Sequence, residues 1–296
     1  MNDAVAIFRE MSSSPDLFRE CIDYTARQTG FRRDLIEKDF VCSAILSYFS
    51  AHLPSTVVFK GGTCLSKVYT DFYRLSEDLD FAFLMPLDVR RAQRRKQIEP
   101  VKKTCGQLTE NLAGLIEMEP FRGANESTQY IGTWGYRSVI SGSTNRVVIE
   151  FGLREPGLLA PESRPAGTLM QNVVTETSLV PPFRINVMAL PEIWAEKTRA
   201  ALTRFDPAIR DFFDLDYACL NLNLNLDDAT LVDLIRRKLT VPGNGPLNLS
   251  AERRSALEKQ AEGQLRPVLR SRDFERFDLQ RIWSSLIALA DRLKEA

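Results

Sequence analysis

The sequence predicts an α+β protein in which a small mixed β-sheet with flanking helices is followed by an α-helical C-terminal domain. In the first half of the chain, short β-branched runs end in glycines or acidic residues, as buried strands do. Segments with apolar residues at helical intervals precede and separate these runs. From residue 191 onward the pattern is almost entirely helical. We therefore expect two domains, 1–185 and 186–296, with the boundary near 180–190.

Composition already limits the kind of protein. A chain of 296 residues with 44% hydrophobic residues can form one large domain or two without a disulfide or metal staple. Its five cysteines are odd in number and form no Cys-x-x-Cys pair, which argues against a disulfide framework or structural zinc and predicts a reducing, cytoplasmic environment. No apolar run approaches about 18 residues, so we expect no membrane span.

The single histidine, His52, and the charge balance exclude further classes. Catalysis by a His-paired Ser or Cys would have to use His52, which lies where a predicted helix ends and suits a surface or capping role. Metal chemistry must then rest on carboxylates, which suit hard cations such as Mg²⁺. The 39 basic and 39 acidic residues give no strong overall field, but the dense basic stretch at 90–96 remains a candidate for binding nucleic acid.

The elements follow one another in a definite order along the chain. Two amphipathic helices come first, at 3–29 and 34–51. A strand, a helix and a second strand are then predicted in that order, at 55–62, 63–72 and 79–84. Apolar positions at helical intervals predict one long helix over 87–118. Two runs rich in β-forming residues, 128–140 and 145–154, predict a hairpin. Three prolines and two glycines predict a loop at 155–168, and a break in the later helices is expected at 241–250.

The end of the first predicted strand carries a glycine turn. Lys60-Gly61-Gly62-Thr63 ends the strand, and a helix begins at once. Two glycines let the backbone approach a ligand closely, and free N–H groups at a helix N-terminus attract phosphate. Thr63 can cap the helix or donate to a phosphate oxygen. The alternative is a tight turn that binds no ligand.

Three carboxylates form the next candidate group. Asp78 and Asp80 are alternate residues of the second predicted strand, so they share a face about 6–7 Å apart and can hold divalent ions. The alternative is a strand end with solvated acids. Glu150 lies in an otherwise apolar strand, where it needs a metal or a lysine as partner unless it faces solvent on an edge strand.

Taken together, these residues resemble the polymerase-β-like nucleotidyltransferase superfamily, and the fuller pattern is similar to the AbiEii/AbiGii toxin family. The matching segments occur in the family's order: KGGTCLSK at 60–67, RLSEDLDF at 74–81, IE at 149–150, EKTRA at 196–200 and RDFFDL at 210–215. They cover roughly residues 55–220, and no motif matches beyond 225. Two departures are Thr63, where relatives may carry Ser, and Asp216, where an aromatic residue is common.

This resemblance implies a polymerase-β-like core and a function. It implies a Mg²⁺-dependent nucleotidyltransferase, the toxin of a toxin–antitoxin or phage-defence pair. The enzyme would transfer nucleotides from a nucleoside triphosphate to an RNA 3′ end, with the tRNA acceptor stem foremost, and so block translation and growth. The implied partner is a winged-helix antitoxin encoded nearby.

The resemblance also implies which residues act. The metal acids are Asp78, Asp80 and Glu150, and the helical domain contributes Lys197 and Asp211 to catalysis. The implied nucleotide-binding set is larger: Gly61, Gly62, Thr63, Ser66, Lys67, Ser76, Lys197 and Asp214.

The residues of the helical domain have physical alternatives. Lys197 either binds the triphosphate or extends its amine past an apolar helix face to solvent. Asp211 either orients Lys197, takes the proton of the attacking hydroxyl, or pairs with Arg204 or Arg210 as simple structure.

Two other functions remain open from sequence. The same site could transfer a nucleotidyl or phosphoryl group to a protein or small molecule. A catalytically silent binding protein is the other possibility, against which the intact set of acids and Lys197 argues.

Overall fold

The computed structural model describes residues 3–86, 88–154 and 156–294, and the chain divides into two compact units. The first unit runs from Met1 to Met188 and is built on a mixed β-sheet, and the second runs from Ala189 to Ala296 and is helical. Residues 87 and 155, each the first of a predicted segment, lie outside the described residues. No helix in the described ranges combines the length and apolarity needed to cross a bilayer.

The sheet of the first unit has seven strands in the described residues, in the order β3-β4-β5-β2-β1-β7-β6. Neighbouring pairs are antiparallel except for β5–β2 and β1–β7, which are parallel. The strand bounds are Val57–Lys60, Leu79–Phe83, Leu115–Ala124, Gln129–Arg137, Thr144–Gly152, Glu162–Ala166 and Phe183–Val187 for β1 to β7. The predicted hairpin is confirmed as β4 and β5.

Three helices open the chain: α1 Asp3–Ser13, α2 Pro15–Thr29 and α3 Arg33–His52. The single helix predicted over 3–29 is wrong, because Ser14 leaves the helical backbone region and Pro15 starts a new helix. Proline suits that first helical position because its missing N–H would have no partner there. α3 ends at His52, as the sequence predicts.

Side chains alternate between the two faces of the sheet, and one of these faces packs into the core. Phe59, Phe81 and Phe151 lie on the adjacent strands β1, β2 and β5 and are buried, with ring centroids 5.3 and 4.7 Å apart. Phe49 of α3 packs edge-on against two of these rings, which fixes α3 on this face. The residues next to these phenylalanines therefore point to the opposite face.

The segment after β2 differs from its prediction. In place of one helix over 87–118, it forms three short helices and an edge strand: α5 Arg91–Gln97, α6 Glu99–Gly106, α7 Leu108–Asn111 and β3. Pro100 falls at the start of α6, and Gly114 takes φ of 99°, which a helix excludes. The predicted loop over 155–168 is also wrong where β6 pairs with β7.

The second unit is helical, as predicted. Its helices are α8 Leu190–Thr203, α9 Ile209–Asn221, α10 Ala229–Leu239, α11 Ala251–Gln260, α12 Ser271–Arg276 and α13 Leu279–Lys294. Asp228 and Ser250 cap α10 and α11 by accepting backbone N–H groups with their side chains. The break expected at 241–250 is confirmed, since α10 ends before it and α11 begins after it.

A buried ion pair connects α3 to the segment that follows β1. After β1 the chain forms a short helix, α4 (Gly61–Cys64), and then a π-helical turn, Leu65–Tyr69. Within that turn, the Lys67 amine lies 2.5 Å from the Asp39 carboxylate and 2.7 Å from the Ser43 hydroxyl. The other Asp39 oxygen accepts hydrogen bonds from Thr168 Oγ1 and the Leu169 N–H. Both charges are thus removed from water but fully hydrogen-bonded.

We predict that Asp39→Asn lowers the free energy of unfolding by about 3–5 kcal/mol, because it leaves the Lys67 ammonium buried without a counter-charge. Urea denaturation followed by circular dichroism measures this. The matched control is Asp34→Asn on the same helix, whose pair with Arg32 is about half exposed and should contribute less than about 1 kcal/mol. Equal, small losses in both variants would contradict the prediction.

Candidate active site

The glycine turn lies directly against the acidic strand. Gly61 follows β1 with φ of 78°, in the left-handed region where a side chain is strained. A Cβ at Gly61 would also lie 2.5 Å from a carboxylate oxygen of Asp80. At Gly62, a Cβ would collide with the Arg74 guanidinium and lie 3.2 Å from the Ser76 hydroxyl. Both glycines are thus required by the close approach of β2 and the segment leading into it.

Three side chains of the predicted nucleotide-binding set make hydrogen bonds inside the unit. Thr63 Oγ1 donates to the Asp78 carbonyl at 2.5 Å and so fastens the turn to the acidic strand. Ser66 Oγ donates to the Arg74 carbonyl at 2.7 Å. The Lys67 amine is held by the Asp39 network. These contacts hold the shape of the turn.

Asp80 and Glu150 lie side by side across the sheet. Asp80 pairs with Glu150 in the parallel β2–β5 ladder and with Lys60 in the antiparallel β1–β2 ladder. Partners in a ladder share a face, and adjacent strands are about 4.8 Å apart. The row Lys60–Asp80–Glu150 therefore runs across the face opposite the phenylalanine core, and all three residues are half-buried. Asp78 precedes β2 by one residue, and it is half-buried too.

The two carboxylates of this row suit a divalent cation that takes its remaining ligands from elsewhere. No group of three or more His, Cys, Asp or Glu side chains in the described ranges is close enough to form a complete metal site. Mg²⁺ is usually bound through one or two carboxylates together with substrate phosphates and waters, rather than by an all-protein cage. Two adjacent carboxylates beside a glycine turn meet that requirement.

The second unit contains a buried cluster of charges around Lys197. The Lys197 amine of α8 lies 2.8 Å from Asp211 and 2.6 Å from Asp214, both on α9. Arg204 NH1 lies 3.2 Å from the other Asp211 oxygen. Burial opposes ionisation of Asp211, but the charges of Lys197 and Arg204 outweigh it, so that the pKa of this carboxyl lies below its ordinary value.

Sequence reasoning missed two residues that hold these groups in position. Asp39 is an acid on α3, a helix that is buried at nearly every position from Leu35 to Phe49, and it lies 28 residues before Lys67. Arg74 is buried with its guanidinium against Gly62, although arginines are usually exposed. The sequence holds one signal for Arg74, its position in the segment 74–81 that matches the family. Its residue type alone gives no reason to select it.

Comparison with solved structures identifies similar folds in Helicobacter pylori proteins. One is the protein JHP933, with a TM-score of 0.52, 16% identity, and coverage of 90% of this chain and 95% of that one. Another is described as a candidate nucleotidyltransferase, with a TM-score of 0.51, 16% identity, and coverage of 90% and 98%. At this identity the likeness bears on the fold alone, and it agrees with the predicted α+β class. No curated protein sequence matches the chain.

A family model matches far more of the sequence than the segments compared above. The model for the nucleotidyl transferase AbiEii toxin of type IV toxin–antitoxin systems covers residues 45–288, which include the glycine turn, the three acids and the Lys197 cluster. The protein therefore belongs to the AbiEii family of nucleotidyl transferase toxins.

Proposed function

We propose that this nucleotidyl transferase joins nucleotides from a nucleoside triphosphate to the 3′ end of an RNA, with the tRNA acceptor stem as the foremost substrate. The row Lys60–Asp80–Glu150 beside the glycine turn carries this proposal. The row provides carboxylates for a divalent cation next to backbone that a phosphate can approach. Such modification of tRNA would stop translation and growth.

In the proposed reaction, the backbone at Gly61 and Gly62 receives the triphosphate. Asp80 and Glu150, with Asp78 nearby as the third predicted acid, would hold a Mg²⁺ ion together with oxygens of the substrate. Such an ion would supply neutralisation of phosphate charge and activation of the attacking oxygen. The terminal ribose hydroxyl of the RNA loses its proton to solvent water, and its oxygen forms a bond to the α-phosphorus. The α–β bridging P–O bond breaks at the same phosphorus, and pyrophosphate leaves. Ser66 and Lys67 serve here as supports of the turn, because their polar atoms are buried and engaged in the fold.

The Lys197 cluster is proposed to stabilise charge on the triphosphate. An ammonium group has three N–H donors, and two of those of Lys197 are directed at Asp211 and Asp214. The third can donate to a phosphate oxygen. Because the pKa of Asp211 lies below its ordinary value, this carboxylate is a poor proton acceptor. We therefore assign Asp211 a positioning role toward Lys197 rather than that of a general base.

RNA and an antitoxin complete the proposal. Helix α5 and the residue before it present Arg90, Arg91, Arg95 and Lys96 as exposed cations, which suit contacts with RNA backbone phosphates. The proposed partner for neutralisation is a winged-helix antitoxin encoded nearby. The proposed setting is the cytoplasm, in a toxin–antitoxin pair that can serve phage defence.

We predict that Asp80→Asn lowers transfer by at least about 100-fold, because it removes a charge that acts on the reacting phosphate. The measurement uses each labelled nucleoside triphosphate with and without total tRNA and Mg²⁺. Wild-type protein should label tRNA only when Mg²⁺ is present. Glu117→Gln, an exposed acid of strand β3, is the matched control and should keep full activity. Label that appears on protein instead of RNA would refute the RNA substrate.

We also predict that Lys197→Met lowers kcat by about 10²–10³-fold, the range seen when one donor to a developing charge is removed. The control is Lys238→Met, which removes another buried lysine of the same unit, paired with Glu192 at 2.8 Å. Lys238→Met should lower the melting temperature but leave the kcat of the folded fraction near that of wild type. If both variants lost only stability, Lys197 would be a structural residue.

A further inference from the structure

The loop between α8 and α9 holds a phenylalanine almost fully in solvent. Phe205 is 95% exposed, the highest value among the exposed large apolar residues in the described part of the chain. Its chain neighbours Arg204 and Asp206 are exposed and charged. Burying such a ring against a ligand would be favourable.

The backbone that carries Phe205 is fastened on both sides. Arg253, itself buried, donates to the carbonyls of Arg204 and Ala201 at 2.6 and 2.8 Å. On the other side, Gln260 donates to the Pro207 carbonyl at 2.7 Å and accepts the Ile209 N–H at 2.9 Å. The backbone of the loop is therefore pre-organised, so that binding a ligand on the ring would cost little conformational entropy of the loop.

The ring is next in sequence to a cation of the Lys197 cluster. Arg204 contacts Asp211, and Asp211 contacts Lys197, so one short loop provides both a cationic group and an aromatic face. The Arg204 side chain is about half exposed and can reach a second anion while it stays near Asp211. A cationic side chain and an aromatic side chain on one surface loop are the two elements with which proteins hold single-stranded nucleic acid.

In the described part of the chain, Phe205 is the one exposed large apolar side chain between Val174 and Leu220, which favours a nucleobase over a protein surface. A protein interface buries a patch of about 800 Å² on each partner, with several apolar residues at its centre. On α9, the helix that follows this loop, the exposed large apolar side chain is Leu220, near the far end of the helix, and the residues next to Phe205 in sequence are charged. One flat ring flanked by charges matches one base with its phosphate.

We propose that Phe205 is a stacking platform for a nucleobase of the substrate, either that of the incoming nucleotide or one at the RNA end. This inference rests on the proposed nucleotidyl transfer to RNA and assigns a base-contacting residue to that reaction. The contact involves no bond making, so its effect belongs to binding rather than to the chemical step.

The test measures Kd for a non-hydrolysable nucleoside triphosphate and, separately, for a single-stranded RNA ending in CCA, with wild-type protein and Phe205→Ala. Base stacking on an aromatic side chain corresponds to about a 5- to 150-fold change in affinity. A loss of that size for the nucleotide alone assigns the stacked base to the nucleotide, and a loss for the RNA alone assigns it to the RNA. Leu220→Ala, an equally simple truncation of an exposed apolar residue, should bind both probes as wild type does.

A second variant gives a readout that does not depend on loss of function. Phe205→Trp keeps a stacking surface and adds an exposed fluorophore, whereas Trp134, Trp194 and Trp283 are buried. Quenching of its long-wavelength emission by the bound probe, with affinity near that of wild type, supports stacking. Unchanged affinity in Phe205→Ala together with no quenching in Phe205→Trp would overturn the inference, even if wild-type protein transfers nucleotides. Wild-type protein that binds neither probe would overturn the proposed function as well.

Discussion

The buried pair of Lys67 and Asp39 is the interaction on which the geometry of the first unit depends. Burying two charges costs several kcal/mol, and only complete hydrogen bonding offsets that cost. Here the carboxylate and the amine find partners in α3, in the π-helical turn and in the loop at 167–169. The pair fixes the segment that follows Gly61 and Gly62, and this segment in turn fixes the distance between the glycine turn and Asp80.

The sheet places the acids next to the glycine turn because its two faces differ: one packs in the aromatic core, and the other carries the carboxylates. Phe81 and Asp80 are neighbours in β2, yet one packs in the aromatic core and the other lies beside Glu150. A slip of one residue in the β2–β5 register would exchange these faces and bury the carboxylate among phenylalanines. The aromatic core therefore specifies the position of the acids, because the register that packs the rings is also the one that aligns the carboxylates.

This coupling explains which parts of the molecule could be predicted from sequence. The strand of the hairpin that carries Glu150 follows from local alternation, because buried and less buried residues alternate along it. The strand that carries Asp80 follows instead from a short apolar run, because every residue in it except Asp80 is buried. Strand β3 could not be predicted in this way, because it is a sheet edge with nearly every residue exposed and so has no period of two. The pairing of Lys67 with Asp39 links residues 28 positions apart, and no local pattern records it. The contact of Lys197 with Asp211 could be predicted from sequence as one of several alternatives, because the spacing of two neighbouring helices limits the possible partners.

The Lys197 cluster is poorly explained as a device for stability. It contains two cations and two carboxylates, so its net charge is zero, and a buried ionic group of this kind is often no more stabilising than apolar residues of the same volume. Its two carboxylates both contact one ammonium, which restricts the orientation of that group. The loop that follows α8 adds an exposed ring at Phe205, on a backbone that is hydrogen-bonded on both sides of it. The proposed contacts to a nucleotide rest on these two features, because a cation suits the phosphates of a nucleotide and an aromatic face suits its base.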